Sequence, residues 1–187
     1  MKIDFTSLSL KERYKIMSRT IIPRPIAWIV TEGEALNIAP FSYFMALSSE
    51  PPTVIVSIGH KKDGTPKDTL HNIIHSKKAT ICLVRPEHLD KMADSSESLP
   101  AQISEAEKFG IATEHIVDSY PPIIAGTPAA FFCDLHQIVD LGGGKTIPLI
   151  LKIAHYYVDD GYYNEEFNFD FDVVARIGKE YCRCEKL

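Results

Sequence analysis

The sequence predicts a mainly β protein, an antiparallel barrel carrying short helical insertions. Three observations predict it: repeated runs of β-branched residues bounded by turn residues, short helices marked by capping signals, and no regular strand–helix alternation of the kind that builds a doubly wound parallel sheet. With 187 residues, 45% of them hydrophobic and 24% charged, the chain has the apolar material for a core and too little charge for a disordered polymer. One domain over residues 1–187 is expected.

Ser9 and Glu12 have the spacing of a capping box, and Leu10, Tyr14 and Met17 recur at helical intervals, which predicts a helix over 10–18. IAWIVT at 26–31, a glycine-containing turn at 32–35 and a short strand at 36–38 read as a hairpin. After Pro51 and Pro52, TVIVSI predicts a strand over 53–58, followed by a Lys, Gly and Pro loop over 59–66. Asp68 or Thr69 is expected to cap a helix over 68–76, whose Leu70, Ile73 and Ile74 share one face, before ATICLV resumes a strand at 79–84. Pro86 suits a first helical turn ahead of Leu89 and Met92, and Ser104 with Glu107 marks a second capping box before Phe109. AAFFCDLHQIVDL from 129 to 141 sets Phe131, Cys133, Leu135 and Val139 on one face, and TIPLILKIAHYYV from 146 to 158 returns after three glycines. Two long strands around a glycine turn are expected there.

Twenty Lys and Arg against 25 Asp and Glu give a net charge of −5, the wrong sign for binding a nucleic acid through its phosphates; a small anion held locally stays open. MKIDFTSLSLKERYK contains no apolar run of the signal-peptide kind, and no stretch of about 18 apolar residues occurs, so a cytoplasmic protein with no membrane contact is expected. Cys82, Cys133, Cys182 and Cys184 read as free thiols, and the last two lack the second ligand pair that a zinc site needs. Gly144, Lys145 and Thr146 do not form a phosphate loop, because the required earlier glycine would fall at Val139 inside a strand. His71 and His75 are four apart, yet Asn72 follows His71 where a zinc protease carries its glutamate. No serine sits in a nucleophile elbow, and His60, His88, His115, His136 and His155 have no neighbours that mark a hydrolase base. The acidic, aromatic run at 159–172 reads first as a solvated loop, with a partner surface and a lid as the alternatives.

Four strings carry more information: RPIAW at 24–28, NIAPFSYF at 37–44, SSEPP at 48–52 and VSIGHKKDGTPKDT at 56–69. In this order and spacing the sequence resembles the flavin reductase-like family of FMN-binding split barrels, the group that includes flavoredoxin-type proteins. The resemblance continues through SEAEKFGI at 104–111, the strand at 128–135 and the tail at 176–181. It implies an antiparallel split β-barrel of the FMN-binding type, assembled as a homodimer. It also implies FMN in preference to FAD, with NAD(P)H as a transient donor of hydride to flavin N5. The alternative it leaves is an electron carrier reduced by a protein partner, without nicotinamide turnover; an electron-transfer or oxygenase partner is compatible with either. Phe132 and Leu151 depart from the family, which often has an acidic residue and a glycine at these places.

A flavin mononucleotide presents a doubly charged phosphate, a ribityl chain with hydroxyls, and a flat ring with a hydrogen-bonding edge. Lys67, the Thr69 hydroxyl, Ser57 and the amides opening the 68–76 helix are the phosphate candidates, since a helix start carries positive partial charge. Asp68 is expected to cap that helix or to hold Lys67. Asn37 and Ser42 offer polar groups near strand ends, and Pro40 leaves a turn whose backbone faces a ligand; the resemblance adds Ala39 and Gly59 to the cofactor-binding set. The backbone of Arg24, Pro25, Ile26 and Ala27 is expected at the pyrimidine edge, with Trp28 against the ring or, alternatively, in the core. No catalytic side chain and no metal ligand is expected, because the cofactor carries the chemistry. No Gly-x-Gly-x-x-Gly fingerprint follows a strand, so a nicotinamide donor binds over the flavin and not in a domain of its own.

Overall fold

In the computed structural model, which describes residues 1–184, a turn of 3-10 helix at Phe5–Ser7 leads into α1 (Leu10–Thr20). The predicted capping box is complete: the Ser9 hydroxyl accepts from the Glu12 amide, and the Glu12 carboxylate accepts from the Ser9 amide at 2.9 Å. Next come β1 (Arg24–Pro25), β2 (Ala27–Glu32), β3 (Leu36–Phe41), β4 (Phe44–Ser49), β5 (Pro52–Gly59), α2 (Asp68–Ser76) and β6 (Lys78–Cys82). A polar excursion carries α3 (Leu89–Asp94), α4 (Glu105–Phe109), β7 (Thr113–Glu114) and β8 (Ile123–Ile124). The chain then returns through β9 (Ala129–Ile138), β10 (Thr146–Val158), β11 (Val174–Ile177) and β12 (Glu180–Arg183).

The main sheet has seven antiparallel strands in the order β3-β2-β6-β9-β10-β5-β4. Laid flat, its two edges would stand about 29 Å apart at the usual strand spacing. Yet β3 and β4 are joined only by Ser42 and Tyr43, a link that reaches roughly 10 Å. The sheet therefore curls until its edges nearly meet, and because β3 and β4 do not pair, the barrel stays split. The β9–β10 turn explains the three glycines: Gly142, Gly143 and Gly144 have φ of 75°, 117° and 109°, a region that side chains with a Cβ avoid. This is the hairpin expected in place of a phosphate loop.

Strands buried on both faces divide the core in two. Inside the barrel, Ala27, Ile29, Val56, Ile58, Ile81, Cys133, Leu149 and Leu151 pack with Leu70 and Ile73 of α2, which plugs one end. Outside it, Trp28, Val30, Cys82 and Phe132 pack under Met92, Ile111, Tyr120 and Ile123 of the excursion. Phe132 and Leu151, the two family departures, thus both serve the core.

Several sequence expectations are corrected. The strand expected over 26–31 is present one residue further on, as β2, and the unexpected feature lies ahead of it, where Arg24 and Pro25 pair with β11 in a small sheet of order β1-β11-β12. β4 escaped detection because, past Phe44, all its residues are exposed and no alternation of burial marks it. Ser104 caps α4 through the Ala106 amide, without the expected return bond from Glu107. Residues 159–172 form no helix or strand, in line with a loop, but Phe169 stacks on Phe171 at 5.2 Å and approaches Tyr156 at 6.0 Å. No helix among the described residues is long and apolar enough to cross a membrane.

Candidate functional site

α2 begins without a cap. Lys67 occupies the cap position in an extended conformation (φ −64°, ψ 151°) and no side chain bonds the first-turn amides; the first helical bond runs from the His71 amide to the Lys67 carbonyl. Lys67, Asp68 and Thr69 at this helix start line a cavity of about 290 Å³ between β3, the 60–67 loop and the 95–98 segment. Lys61, Lys62 and Lys67 all line it. Lys67 holds its ammonium 5.4 Å from the Phe41 ring centroid, and desolvation by the surrounding walls lowers its pKa. The expected role of Asp68 is corrected: it is the first helical residue, not the cap, and its partner is Lys61, at 2.7 Å, and not Lys67. A carboxylate in a first turn complements the helix dipole, and the incoming loop brings Lys61 within reach.

One wall of the cavity is set by a buried amide–hydroxyl network. Asn37 donates through Nδ2 to Thr31 Oγ1 at 3.1 Å and to Thr69 Oγ1 at 2.9 Å, and Asn72 donates to Thr31 at 3.2 Å. Because Thr69 Oγ1 accepts from Asn37, its own hydrogen remains available to an acceptor in the cavity. Gly33 allows α2 to lie this close, since a Cβ there would stand 2.5 Å from the Asn72 amide oxygen. Glu105, which also lines this cavity, is only 5% exposed and accepts the Ile38 amide at 2.9 Å, closing the outer edge of β3. Burial raises the Glu105 pKa, a shift that the bond from Ile38 opposes.

A second cavity of about 260 Å³ adjoins the first through Pro40 and Ser96, and Ile26, Phe41, Ser42, Met92, Arg176 and Tyr181 contribute to it. Of the residues singled out from sequence, Asn37, Ala39, Pro40, Lys67, Asp68 and Thr69 meet in the first cavity, and Ile26, Pro40 and Ser42 in the second. Ser57 and Gly59 lie in β5, paired with Pro148 and Thr146, and line neither. Arg24 turns away to the end of α1, where it donates to the Ser18 and Ile21 carbonyls, and the backbone of Arg24 and Pro25 pairs with β11. Ala27 is wholly buried inside the barrel. Trp28 takes its core reading: it has no exposed surface, packs on His88 and donates through Nε1 to Ser95 Oγ at 3.0 Å. Its contribution to the cavity is to fix Ser95 behind it.

Sequence reasoning missed Lys61, Lys62, Glu105, Arg176 and Tyr181. The two lysines stand inside GHKKDG beside the Lys67 string, so their charge was a usable signal. Glu105 and Arg176 reach the site only through tertiary packing. Among the described residues no cluster of His, Cys, Asp or Glu is arranged to hold a metal ion.

Residues 17–175 match the family described as Flavin reductase like domain. The chain belongs to that family. Three solved structures share its fold along its whole length. Nitrilotriacetate monooxygenase component B from Bacillus cereus has a TM-score of 0.89 at 24% identity, covering 100% of this chain and 96% of that one. The Pseudomonas fluorescens 2-nitrobenzoate 2-nitroreductase NbaA has a TM-score of 0.88 at 26% identity, with 100% and 94% covered. A Shewanella frigidimarina protein with a split barrel domain has a TM-score of 0.86 at 22% identity, with 100% and 96% covered. The fold is thus the split barrel inferred from the strand order, and family membership makes the chain a flavin-dependent oxidoreductase in class.

Proposed function

We propose that this protein is an FMN-binding NAD(P)H:flavin oxidoreductase that seats the flavin phosphate at the start of α2 and the ring toward Pro40, Phe41 and Ser42. The observation that carries the reading is the uncapped start of α2 opening on Lys62 and Lys67, beside a Lys61 that Asp68 already pairs: a phosphate supplies the acceptors that its first-turn amides lack. The residues present fit the group. Lys67 brings a cation, Thr69 a hydroxyl hydrogen, and Asn37 fixes the direction of that hydroxyl. Lysines gathered on one seat favour FMN, whose phosphate is terminal and doubly charged, over FAD, whose phosphates are bridged. When bound, the flavin supplies the redox chemistry, taking hydride at N5. The protein's part is to hold the phosphate, orient the ring along the groove and leave room for a transient nicotinamide donor.

A second copy of the chain covers the apolar side made by α1 and β4, where Leu10, Met45 and Leu47 are 81%, 60% and 49% exposed. Pairing there shields an edge strand and an apolar helix face together. Sedimentation equilibrium is expected to give twice the chain mass; a monomer at micromolar concentration removes this part of the proposal.

The reductase reading is tested by anaerobic stopped-flow mixing of the FMN-loaded protein with NADH and NADPH. Rapid bleaching of the flavin absorbance is the expected result. The second reading, a flavin-bearing electron carrier that docks a protein partner, is favoured by the acidic 159–172 segment with Tyr163 and Phe167 exposed on it. It takes precedence if neither nicotinamide bleaches the flavin while a reduced carrier protein does.

A further inference from the structure

The groove carries a cation at each end, and the phosphate accounts for only one of them. At the other, Arg176 lies half-buried in β11 and faces the second cavity. Three interactions fix it. Its guanidinium carbon sits 4.3 Å from the centroid of the Tyr181 ring, its cross-strand neighbour in the β11–β12 hairpin. Its Nε donates to the Gly178 carbonyl at 3.2 Å. The Gly178 amide in turn donates to the Ser18 carbonyl at 2.9 Å, which docks the hairpin turn on α1. Gly178 has φ 55°, and a Cβ there would stand 3.2 Å from Arg19 Cγ, so the turn favours glycine. Nε is thus committed to holding the side chain in place. Among the described residues no ion pair engages Arg176, so no described carboxylate neutralises the charge directed at the cavity.

We propose that Arg176 is the charge-setting residue at the ring end of the groove, favouring the reduced flavin over the oxidised one. The inference rests on the proposed binding of FMN with its ring in the second cavity. A two-electron, one-proton reduction adds one unit of negative charge to the ring system, and a fixed guanidinium lining the cavity stabilises that charge more than it stabilises the neutral ring. Because the Tyr181 stack and the Gly178 carbonyl hold Arg176 before any ligand arrives, little reorganisation opposes the effect.

The test compares wild type with R176Q and R176K, by titrating oxidised and dithionite-reduced FMN and by measuring the midpoint potential of the bound flavin against a reference dye. In R176Q the dissociation constant for reduced FMN is expected to rise about tenfold more than that for oxidised FMN, which lowers the two-electron potential by about 30 mV. R176K is expected to recover most of the shift. If R176Q does not fold, R176M, which keeps the apolar stem over the Tyr181 ring, takes its place. Equal weakening of both states, or an unchanged potential, overturns the role of Arg176. Failure of the wild-type protein to bind FMN in either state would instead overturn the reading on which it rests.

Discussion

Two helices of this molecule begin in opposite ways. α1 closes its own first turn with the reciprocal Ser9 and Glu12 bonds, and its start faces solvent. α2 places a lysine at the cap position, leaves the first-turn amides without a side-chain partner, and opens on a cavity with two more lysines. A cap of the Ser, Thr, Asp or Asn type stabilises a helix by about 1 kcal/mol, so its lack at α2 is a cost to folding that binding of an anion can offset. Ser9 spends its oxygen on stability, whereas Lys67 leaves donors open for a ligand.

The comparison breaks most directly if α2 is given the start of α1. In K67S a serine hydroxyl takes up a first-turn amide while the cation is lost. FMN affinity is expected to fall by roughly 2–4 kcal/mol, while thermal stability without ligand rises by about 1 kcal/mol, or about 2–4 °C in Tm. K67A separates the two contributions: it removes the cation and adds no cap, so affinity falls by about 1–3 kcal/mol with no gain in Tm. Flavin titration and thermal unfolding read both variants. Unchanged affinity in K67A would remove Lys67 from the site.

The reverse change at α1 sharpens the contrast. S9A is expected to cost about 1 kcal/mol of stability, lowering Tm by about 2–4 °C, and to leave FMN affinity at the wild-type value. Weaker binding in S9A would mean that the start of α1 is coupled to the groove, which Tyr14 of the next turn lines.

The same contrast marks what the sequence could reveal. Capping signals, glycine turns and the β-branched runs are local, so α1, the 68–76 helix and the β9–β10 hairpin were legible with close boundaries. The Lys67 to Thr69 string was legible too, as a charged helix start. Its internal arrangement was not: Asp68 belongs to Lys61, which a salt bridge across seven residues decides and no helical spacing announces. From sequence Trp28 reads first as a ligand aromatic, with the core as the alternative, and only the packing of α3 over β2, with Ser95 at its end, overturns that order. Arg24 and Arg176 show the limit most clearly. They are cross-strand neighbours, yet one side chain is spent on the carbonyls ending α1 and the other faces the groove, an assignment made by the hairpin's docking and not by either residue's neighbours in sequence.

Glu105 supplies the smallest expected effect. It is the first residue of α4, as Asp68 is of α2, but no ion pair among the described residues relieves its burial, and its oxygen serves the Ile38 amide. Desolvation raises its pKa above the ordinary glutamate value; nearby Asp68 acts in the same direction, and Lys108 with the Ile38 bond acts against it. The native state therefore holds this proton more tightly than the unfolded chain does. The contribution to stability is present in full below the ordinary glutamate pKa, is lost as pH rises through the raised value, and changes no further above it. E105Q keeps an oxygen for the Ile38 amide and cannot ionise, so its stability is expected to lack this decline. Urea unfolding of both proteins between about pH 4 and 8 measures the difference. Parallel profiles would assign the decline to other carboxyls and leave Glu105 as an edge-closing group alone.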